Sequence, residues 1–519
     1  MSGARAGVRE LLAAANRLHA DRQYHAAIDA YRLVLSRDND RSEAWYGLAM
    51  ACETILEYGD AASAFRRALT LRPDAARLRV NLGKVLFGLG MATEALRAFQ
   101  RAETEGDDAA RALARANVAC LAPGDPAHTN QTIMDARRRW AETCAAGVTA
   151  FHPTWRPGEK LRIGYYGSYF GSKNWMKMCM GVLNAHDRDR FELHVIADGA
   201  APSPEAGYRD YPDDRIWEVG GLSNEALAGH IADAKFDVLI DINGYSLQDR
   251  MPLLCWRAAP VQIAWMGMYG TTGFSQVDCV IGDAAAIPPE EDVFCVERVR
   301  RVPHTYLAFE VFYETPAVAP PPYLAKGHVT FGSLNSAYKL NDEVIASWSR
   351  ILNGVPGAKL LLSNKALAHG SNRANVLSRF AACGIGAESI ILEGGGEHCA
   401  FLRTYDRIDI ALDVFPYNGG TTTAEAIWQG VPVLTFNGDR WASRTSRSIL
   451  RAAGLEDWCA PDKAGFEEMA SRMGRSPEPL AALRAGQRAK VAASPACDAG
   501  SLCRELEEIY RQEVAAKFS

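Results

Sequence analysis

No stretch of this 519-residue chain approaches the roughly 20 consecutive apolar residues that a membrane-spanning helix needs, so a helical membrane protein is excluded. An excess of one charge is also missing. Lys and Arg number 57 against 62 Asp and Glu, a net charge of -5 with no run of like charges. That balance leaves no electrostatic footprint for DNA or RNA, and nucleic acid is not expected as a partner. Cysteine occurs twelve times but never as C-x-x-C and never in a Cys/His cluster, which argues against a zinc site and against a disulfide framework. Reduced, mostly buried thiols are expected instead, with neither metal nor other cofactor. The apolar stretch from Leu11 to Ala15 lacks a cleavage-site pattern and soon meets Arg17, His19, Asp21 and Arg22, so it does not read as a signal peptide. The expected compartment is the cytoplasm, without membrane attachment.

What is present is the composition of soluble globular domains, 48% hydrophobic and 23% charged, in a chain too long for one core. Its clearest organisation is an internal repeat. Trp45, Leu48, Ala49, Ala61, Phe65, Ala68 and Pro73 fall in tetratricopeptide order, with Gly59 placed in the turn between two helices. The pattern recurs one period of about 34 residues to either side. Upstream stand Leu11, Ala14, Ala15, Ala27, Tyr31 and Val34; downstream stand Leu82, Gly83, Ala95, Phe99 and Ala102. Small residues at Ala27, Ala61 and Ala95 let paired helices approach, and Tyr31, Phe65 and Phe99 fill the space between pairs. A degenerate fourth unit from Ala109 to Cys120 and a helix from Ile133 to Val148 follow. The expected divisions are repeats over 8–122 and a helical linker over 123–158. Such an array offers a groove that holds a peptide or another protein; dimerisation into a homo-oligomer is the alternative use.

From Leu161 short apolar runs alternate with amphipathic segments, the pattern of parallel sheets covered on both faces. Strands are expected at 162–166, 191–197, 236–242, 261–266 and 279–281. The Pro-rich stretch from Thr315 to Tyr323 interrupts the pattern, and strands resume at 329–334, 359–362, 390–392, 410–414 and 433–436. This reads as two Rossmann-like α/β lobes, 159–314 and 328–519 with closing helices, joined by a linker at 315–327. One large sheet is the alternative.

The chemistry concentrates in DVFPYNGGTTTAEAIWQGVP, Asp413 to Pro432. A strand ends, Asn418, Gly419 and Gly420 permit a tight turn, and Thr421, Thr422 and Thr423 open a helix. Backbone N–H groups at a helix start, with hydroxyls beside them, form a cradle for a diphosphate, although a Thr-rich start is also a plain N-cap. Glu425, one turn in, is placed to accept hydrogen bonds from ribose hydroxyls.

These segments resemble the O-GlcNAc transferase and SPINDLY family of protein O-glycosyltransferases. The likeness lies in LRIGY at Leu161, DVLIDINGYS at Asp237, RAAPVQIAWMGMYGTTG at Arg257, VPHTY at Val302, LNSAYKLND at Leu334 and FPYNGGTTTAE at Phe415, in that order. It covers the repeats and most of 161–455. The resemblance implies the two-lobed GT-B fold and inverting transfer of a sugar from a nucleotide-sugar donor, UDP-GlcNAc or another, to Ser or Thr of a protein. It implies that Gly420, Thr421, Thr422 and Thr423 hold the diphosphate, that Glu425 meets the ribose, and that Lys339 neutralises the leaving diphosphate. His398 is placed near the nucleotide base and His304 along the cleft, where a hydrogen-bonded structural histidine is the alternative. Asp241 and Asn243, at a strand end, belong to the acceptor or sugar side or else stabilise their loop.

The chain departs from the family after its first lobe strand. The family carries an Asp-Phe pair followed by a histidine; here the segment is GSYFGSKNWMKM, with Tyr169 for the Asp and Lys173 at the histidine position. A lysine at its ordinary pKa of about 10.4 is protonated at neutral pH and binds anions rather than accepting a proton. Three readings stay open: a different base, an acidic sugar or altered acceptor met by Lys173, or a lobe without catalysis. The corresponding functions are a protein O-glycosyltransferase, a flagellin-modifying transferase using a CMP-nonulosonic acid, and a non-catalytic repeat scaffold.

Overall fold

A computed structural model of the chain describes residues 2–155 and 158–518. Contacts divide it into two compact units, one of Met1–Leu121, Asp125–Ala127 and Gly332–Glu397, the other of Ala122–Gly124, His128–Phe331 and His398–Ser519. The repeats are α1 (Ser2–Ala20), α2 (Tyr24–Arg37), α3 (Ser42–Thr54), α4 (Tyr58–Leu71), α5 (Ala76–Gly88), α6 (Ala92–Glu105) and α7 (Asp108–Leu121), followed by α8 (Asn130–Ala145). The first α/β lobe carries β1 (Leu161–Gly167), α9 (Lys173–Met176), α10 (Met180–Ala185), β2 (Phe191–Ala197), β3 (Arg215–Glu218), α11 (Asn224–Ala234), β4 (Val238–Asp241), β5 (Val261–Ala264), β6 (Cys279–Asp283) and β7 (Arg298–Val302). The second carries α12 (Tyr323–Lys326), β8 (Thr330–Ser333), α13 (Asp342–Gly354), β9 (Lys359–Ser363), α14 (Gly370–Ala382), β10 (Ile390–Glu393), α15 (His398–Arg403), β11 (Ile410–Leu412), α16 (Thr421–Trp428), β12 (Val433–Phe436), α17 (Thr445–Ala452), β13 (Cys459–Ala460), α18 (Lys463–Arg475), α19 (Leu480–Ala492) and α20 (Ala499–Phe518). The strand orders are β3-β2-β1-β4-β5-β6-β7 and β10-β9-β8-β11-β12-β13. Both are the doubly wound order in which the chain first steps one way and then returns to the other side, so the fold is GT-B, two sheets rather than one. No helix among the described residues is long and apolar enough to cross a membrane.

In the repeats, glycines and aromatic rings fit as hole and knob. A Cβ on Gly47 would lie 2.3 Å from Tyr31 Cζ, and one on Gly83 would lie 2.6 Å from Phe99 Cε1, so each ring occupies the space its glycine leaves. Tyr31, Phe65 and Phe99 share one core cluster with Ala27, Ala61 and Ala95. The expected turn at Gly59 is corrected: Gly59 lies inside α4, and the left-handed turn residue is Leu56 (φ 68°), matched one period away by Arg22 (φ 59°) and Gly90 (φ 78°). Gly59 is small for another reason. Helix α14 comes so close that a Cβ there would sit 2.8 Å from Ser371 Cβ. Asn372 clamps the junction, its Oδ1 accepting from Gly59 N at 2.9 Å and its Nδ2 donating to Leu56 O at 2.7 Å.

The next turn of the array meets the segment that holds Lys339. Phe87 stacks on Tyr338 with ring centroids 5.3 Å apart, and a Cβ on Gly90 would lie 2.3 Å from Leu340 O. Arg379 of α14 donates to Leu89 O at 3.0 Å.

In the other unit all six neighbouring strand pairs of the first sheet are parallel, and β1 pairs with β2 from Leu161↔Phe191 to Gly167↔Ala197. The sequence reading missed β3, β7 and β13. Arg215–Glu218 (RIWE) and Arg298–Val302 (RVRRV) are edge strands whose charged residues hide the alternation, and β13 is two residues long. The closing helices were expected with the second lobe. Helix α20 instead packs on the first sheet and on α10. There Glu513 accepts from Arg298 and, at 2.7 Å, from Arg300, which explains the basic strand β7. Inside, Tyr165 Oη lies 2.9 Å from His186 Nε2 and 2.8 Å from Tyr510 Oη, while His186 Nδ1 lies 2.9 Å from Glu507 Oε1.

Candidate functional site

Strand β11 runs out into Asp413, whose carboxylate builds the loop that follows. Oδ1 accepts from Val414 N and Gly419 N, both at 2.9 Å, and Oδ2 from Thr435 Oγ1 at 2.8 Å. Ser446 closes the other side, donating to Gly419 O at 3.0 Å with its hydroxyl 2.8 Å from Thr423 Oγ1. Gly419 therefore admits no side chain: a Cβ would lie 2.5 Å from Thr423 Oγ1 and 2.7 Å from Thr422 Oγ1. At Gly420 the nearest atom to a Cβ would be Thr445 Cγ2 at 3.8 Å, so the space in front of α16 is open.

Helix α16 has no side-chain cap, and its first helical bond runs from Ala424 N to Gly420 O at 3.0 Å. The N–H groups ahead of that bond point out along the axis at the positive end of the helix dipole, which favours an anion. The three threonines differ. Thr423 is buried with its hydroxyl spent on Ser446, whereas Thr421 and Thr422 are partly exposed. Tyr405 donates to Thr422 O at 3.0 Å and fixes the first turn from behind.

Glu425 is buried one turn further on, and the group facing it is one the sequence reading did not single out. Lys177, just after α9, donates from Nζ to Glu425 Oε1 at 2.5 Å and to Asn174 Oδ1 at 3.1 Å. Tyr313 lies beneath the ammonium, 4.9 Å from Nζ to the ring centre, and His398 packs edge-on against Tyr313 with centroids 4.8 Å apart. Burial pushes the Glu425 carboxyl up and the Lys177 ammonium down, and each group is what pulls the other back. Burial, then Lys177, then Lys173 push His398 down to about 4, so its ring is neutral at pH 7 and its 3.9 Å approach to Glu425 is not an ion pair. His398 Nε2 and Tyr313 Oη are both buried without a hydrogen-bond partner among the described residues. Two polar atoms and a carboxylate thus converge beside the start of α16, a mixture of donor and acceptor groups that suits a hydroxyl-rich ligand.

The other sequence candidates are dispersed. Lys173 is exposed, one helical turn before Lys177, and its carbonyl accepts from Lys177 N at 3.2 Å. Asp241 and Asn243 are buried and bonded to their own loop: Asp241 accepts from Asn243 N at 3.0 Å and Gly244 N at 3.2 Å, and Asn243 Oδ1 from Ser168 N at 2.8 Å. Burial pushes the Asp241 carboxyl up to about 7. Their hydrogen bonds describe loop-holding at the ends of β1 and β4. His304 is exposed and lines a small cavity of about 60 Å³ with Pro495, Asp498, Ser501 and Glu505, which none of Thr421 to Glu425 touches. Lys339 ends the short turn Ala337–Lys339 in the unit that contains the repeats.

A larger cavity, about 420 Å³, lies elsewhere, between α8 and the 273–296 segment, and includes no candidate residue. His186, Cys503 and Glu507 bring ligand-type atoms within 4.8 Å of one another, all buried. Both imidazole nitrogens of His186 are already engaged by Tyr165 and Glu507, so the group reads as the polar pin of α20.

The residues missed by the sequence reading are Lys177, Tyr313, Asp413 and Ser446. Asp413 carried a signal, a lone carboxylate at the end of an apolar strand; the other three are brought in from distant positions and carried none.

The family description "Glycosyl transferase family 41" matches residues 146–311 and 322–506. The chain is 28% identical over 394 residues to the probable UDP-N-acetylglucosamine–peptide N-acetylglucosaminyltransferase SPINDLY of Solanum lycopersicum, covering 74% of this chain and 42% of that protein. It is 28% identical over 394 residues to the protein of the same description from Arabidopsis thaliana, covering 73% and 42%. The chain therefore spans under half the length of these curated relatives. Among solved structures, a lysine-to-methionine mutant of the Thermobaculum terrenum O-GlcNAc transferase matches with a TM-score of 0.86 at 28% identity, covering 99% of this chain and 98% of that one. A family match over well more than half of the residues, on a two-sheet fold with an open helix start after β11, makes this chain a member of glycosyl transferase family 41.

Proposed function

We propose that this chain is an inverting protein O-glycosyltransferase, taking a sugar from a nucleotide-sugar donor of the UDP-GlcNAc type and placing it on Ser or Thr of a protein held by the repeats. The observation that carries the reading is the start of α16: an uncapped helix whose approach is kept clear at Gly420, beside a buried carboxylate. The first-turn N–H groups and the Thr421 and Thr422 hydroxyls receive the diphosphate, Glu425 accepts from the ribose, and His398 lies toward the base. In the reaction the bond between the anomeric carbon and the diphosphate oxygen breaks, and its electron pair leaves with the diphosphate. The acceptor hydroxyl attacks from the opposite face, and its proton passes through solvent to the departing diphosphate. Charge grows on the leaving group, so the fixed positive end at the α16 start favours the transition state over the ground state, and Lys339 takes the role of neutralising the leaving diphosphate that the family resemblance gives it.

Calorimetry with ADP, CDP, GDP and UDP, followed by intact-mass analysis of candidate proteins incubated with the matching nucleotide sugars, tests the reading. Lys339→Ala is expected to abolish the mass increment while binding of the protein acceptor persists. A chain that binds none of the four nucleotides would overturn the enzyme reading in favour of a repeat scaffold, and full activity of Lys339→Ala would remove the role given to that lysine.

A further inference from the structure

Lys177 has no part in the scheme above, yet its surroundings are those of a working group. A fully buried lysine requires a partner, because an isolated ammonium is strongly disfavoured away from water. Its side chain is 0% exposed and that of its partner Glu425 is 3% exposed. From α15, His398 faces Glu425, neutral and 3.9 Å away. Tyr313 comes from the segment before the Pro-rich stretch, and Tyr405, after α15, has its hydroxyl committed to Thr422 O. Lys173 is felt at His398 but makes no bond to Glu425. Among the described residues Lys177 is therefore the one cation bonded to this carboxylate, and it holds a single oxygen, Oε1. The other oxygen, Oε2, takes no hydrogen bond from any described residue.

We propose that Lys177 is a positioning residue for donor binding: by gripping Oε1 it keeps the Glu425 carboxylate charged and leaves Oε2 as the acceptor for ribose hydroxyls. This rests on the reading of Glu425 as the ribose contact. The physical consequence has a definite sign. Burial alone raises a carboxyl's pKa, and Lys177 is what opposes that rise. Without Lys177 the Glu425 carboxyl rises further, so nucleotide affinity is retained above that raised pKa and lost as pH falls through it. The intact pair holds the charge, and its affinity changes less over the same range.

The test uses the full-length chain and its Lys177→Met and Lys177→Arg variants, titrated with ADP, CDP, GDP and UDP by calorimetry between about pH 6 and pH 9, the range that brackets a carboxyl raised by burial. Lys177→Met is expected to weaken the best-bound nucleotide about tenfold at pH 7, the scale of one charge-assisted hydrogen bond, and to recover as pH rises. Lys177→Arg, which keeps the charge, is expected to restore most of the affinity and the flat profile. Wild-type affinity and profile in Lys177→Met, or an equal loss at every pH, overturns the proposal, because a merely structural lysine gives no pH signature. A readout without nucleotide separates this from the underlying reading. The infrared spectrum of Lys177→Met should show a protonated-carboxyl band that Lys177→Met with Glu425→Gln lacks, and absence of that band also overturns the proposal. If the wild-type chain binds no nucleotide, the ribose role of Glu425 falls, and the infrared band still decides whether Lys177 sets its charge.

Discussion

Adjacent glycines at 419 and 420 do different jobs, and only the surroundings reveal which is which. Gly419 is enclosed by the hydroxyls of Thr422 and Thr423 and held by Asp413, whereas Gly420 faces open space. Gly419→Ala is accordingly expected to cost about 1–3 kcal/mol of stability, the usual range for forcing atoms into a packed site, and to misplace the first turn of α16. Gly420→Ala should leave stability within about 0.5 kcal/mol, as for a substitution away from packing, while a methyl in the open approach weakens nucleotide binding. Urea unfolding and calorimetry on the two variants check the contrast; equal destabilisation would contradict it. At this scale the sequence was legible where structure is local. The run from Asp413 to Glu425 announces the end of a strand, a turn and a helix start by composition alone. Lys177 was opaque because 248 positions separate it from Glu425, and in sequence it is one of two lysines on an ordinary amphipathic turn.

Between elements, the junction of α14 with the repeats shows how a polar side chain can weld two helices. Asn372 is 2% exposed and uses both ends of its amide, receiving Gly59 N and donating to Leu56 O and Ala366 O, the last two at 2.7 Å. Asn372→Ala leaves a half-buried N–H and two carbonyls without this partner and is expected to cost about 1–3 kcal/mol. Hydrogen exchange should show the loss first at α4 and α14; a uniform change along the chain, or none, would argue that the weld is unimportant. The periodic apolar residues of α2, α4 and α6 were readable because each repeat writes the same small-residue and aromatic code. The turn was misplaced because its left-handed residue is Leu56 in one repeat, Arg22 in another and Gly90 in the third, so no residue type marks it. Strand β7 was hidden for a related reason: RVRRV looks like a solvated stretch until Glu513 of α20 supplies the opposite charge.

For the molecule as a whole, Gly332–Glu397 forms one compact unit with the repeats although it belongs to the second lobe in sequence. That segment carries Lys339, whose neighbour Tyr338 stacks on Phe87 of the array. Deleting residues 1–121 is therefore expected to lower hydrolysis of the donor in the absence of acceptor, along with modification of a protein. A truncated chain that hydrolyses donor at the wild-type rate while losing only protein modification would mean the array serves the acceptor alone. Parallel rate measurements on both substrates with folded, size-excluded material distinguish the two.

The contact of Gly90 and Phe87 with the Tyr338–Leu340 segment also bears on how such chains could be re-targeted. If the array were a detachable handle, exchanging it at residue 121 for another array would carry over a new preference and leave turnover intact. With Leu340 O seated where a Cβ on Gly90 would be, a foreign array must reproduce both the glycine and the ring at that turn. A graft that keeps this contact therefore moves two pieces together, the helices and the Tyr338–Leu340 segment they hold.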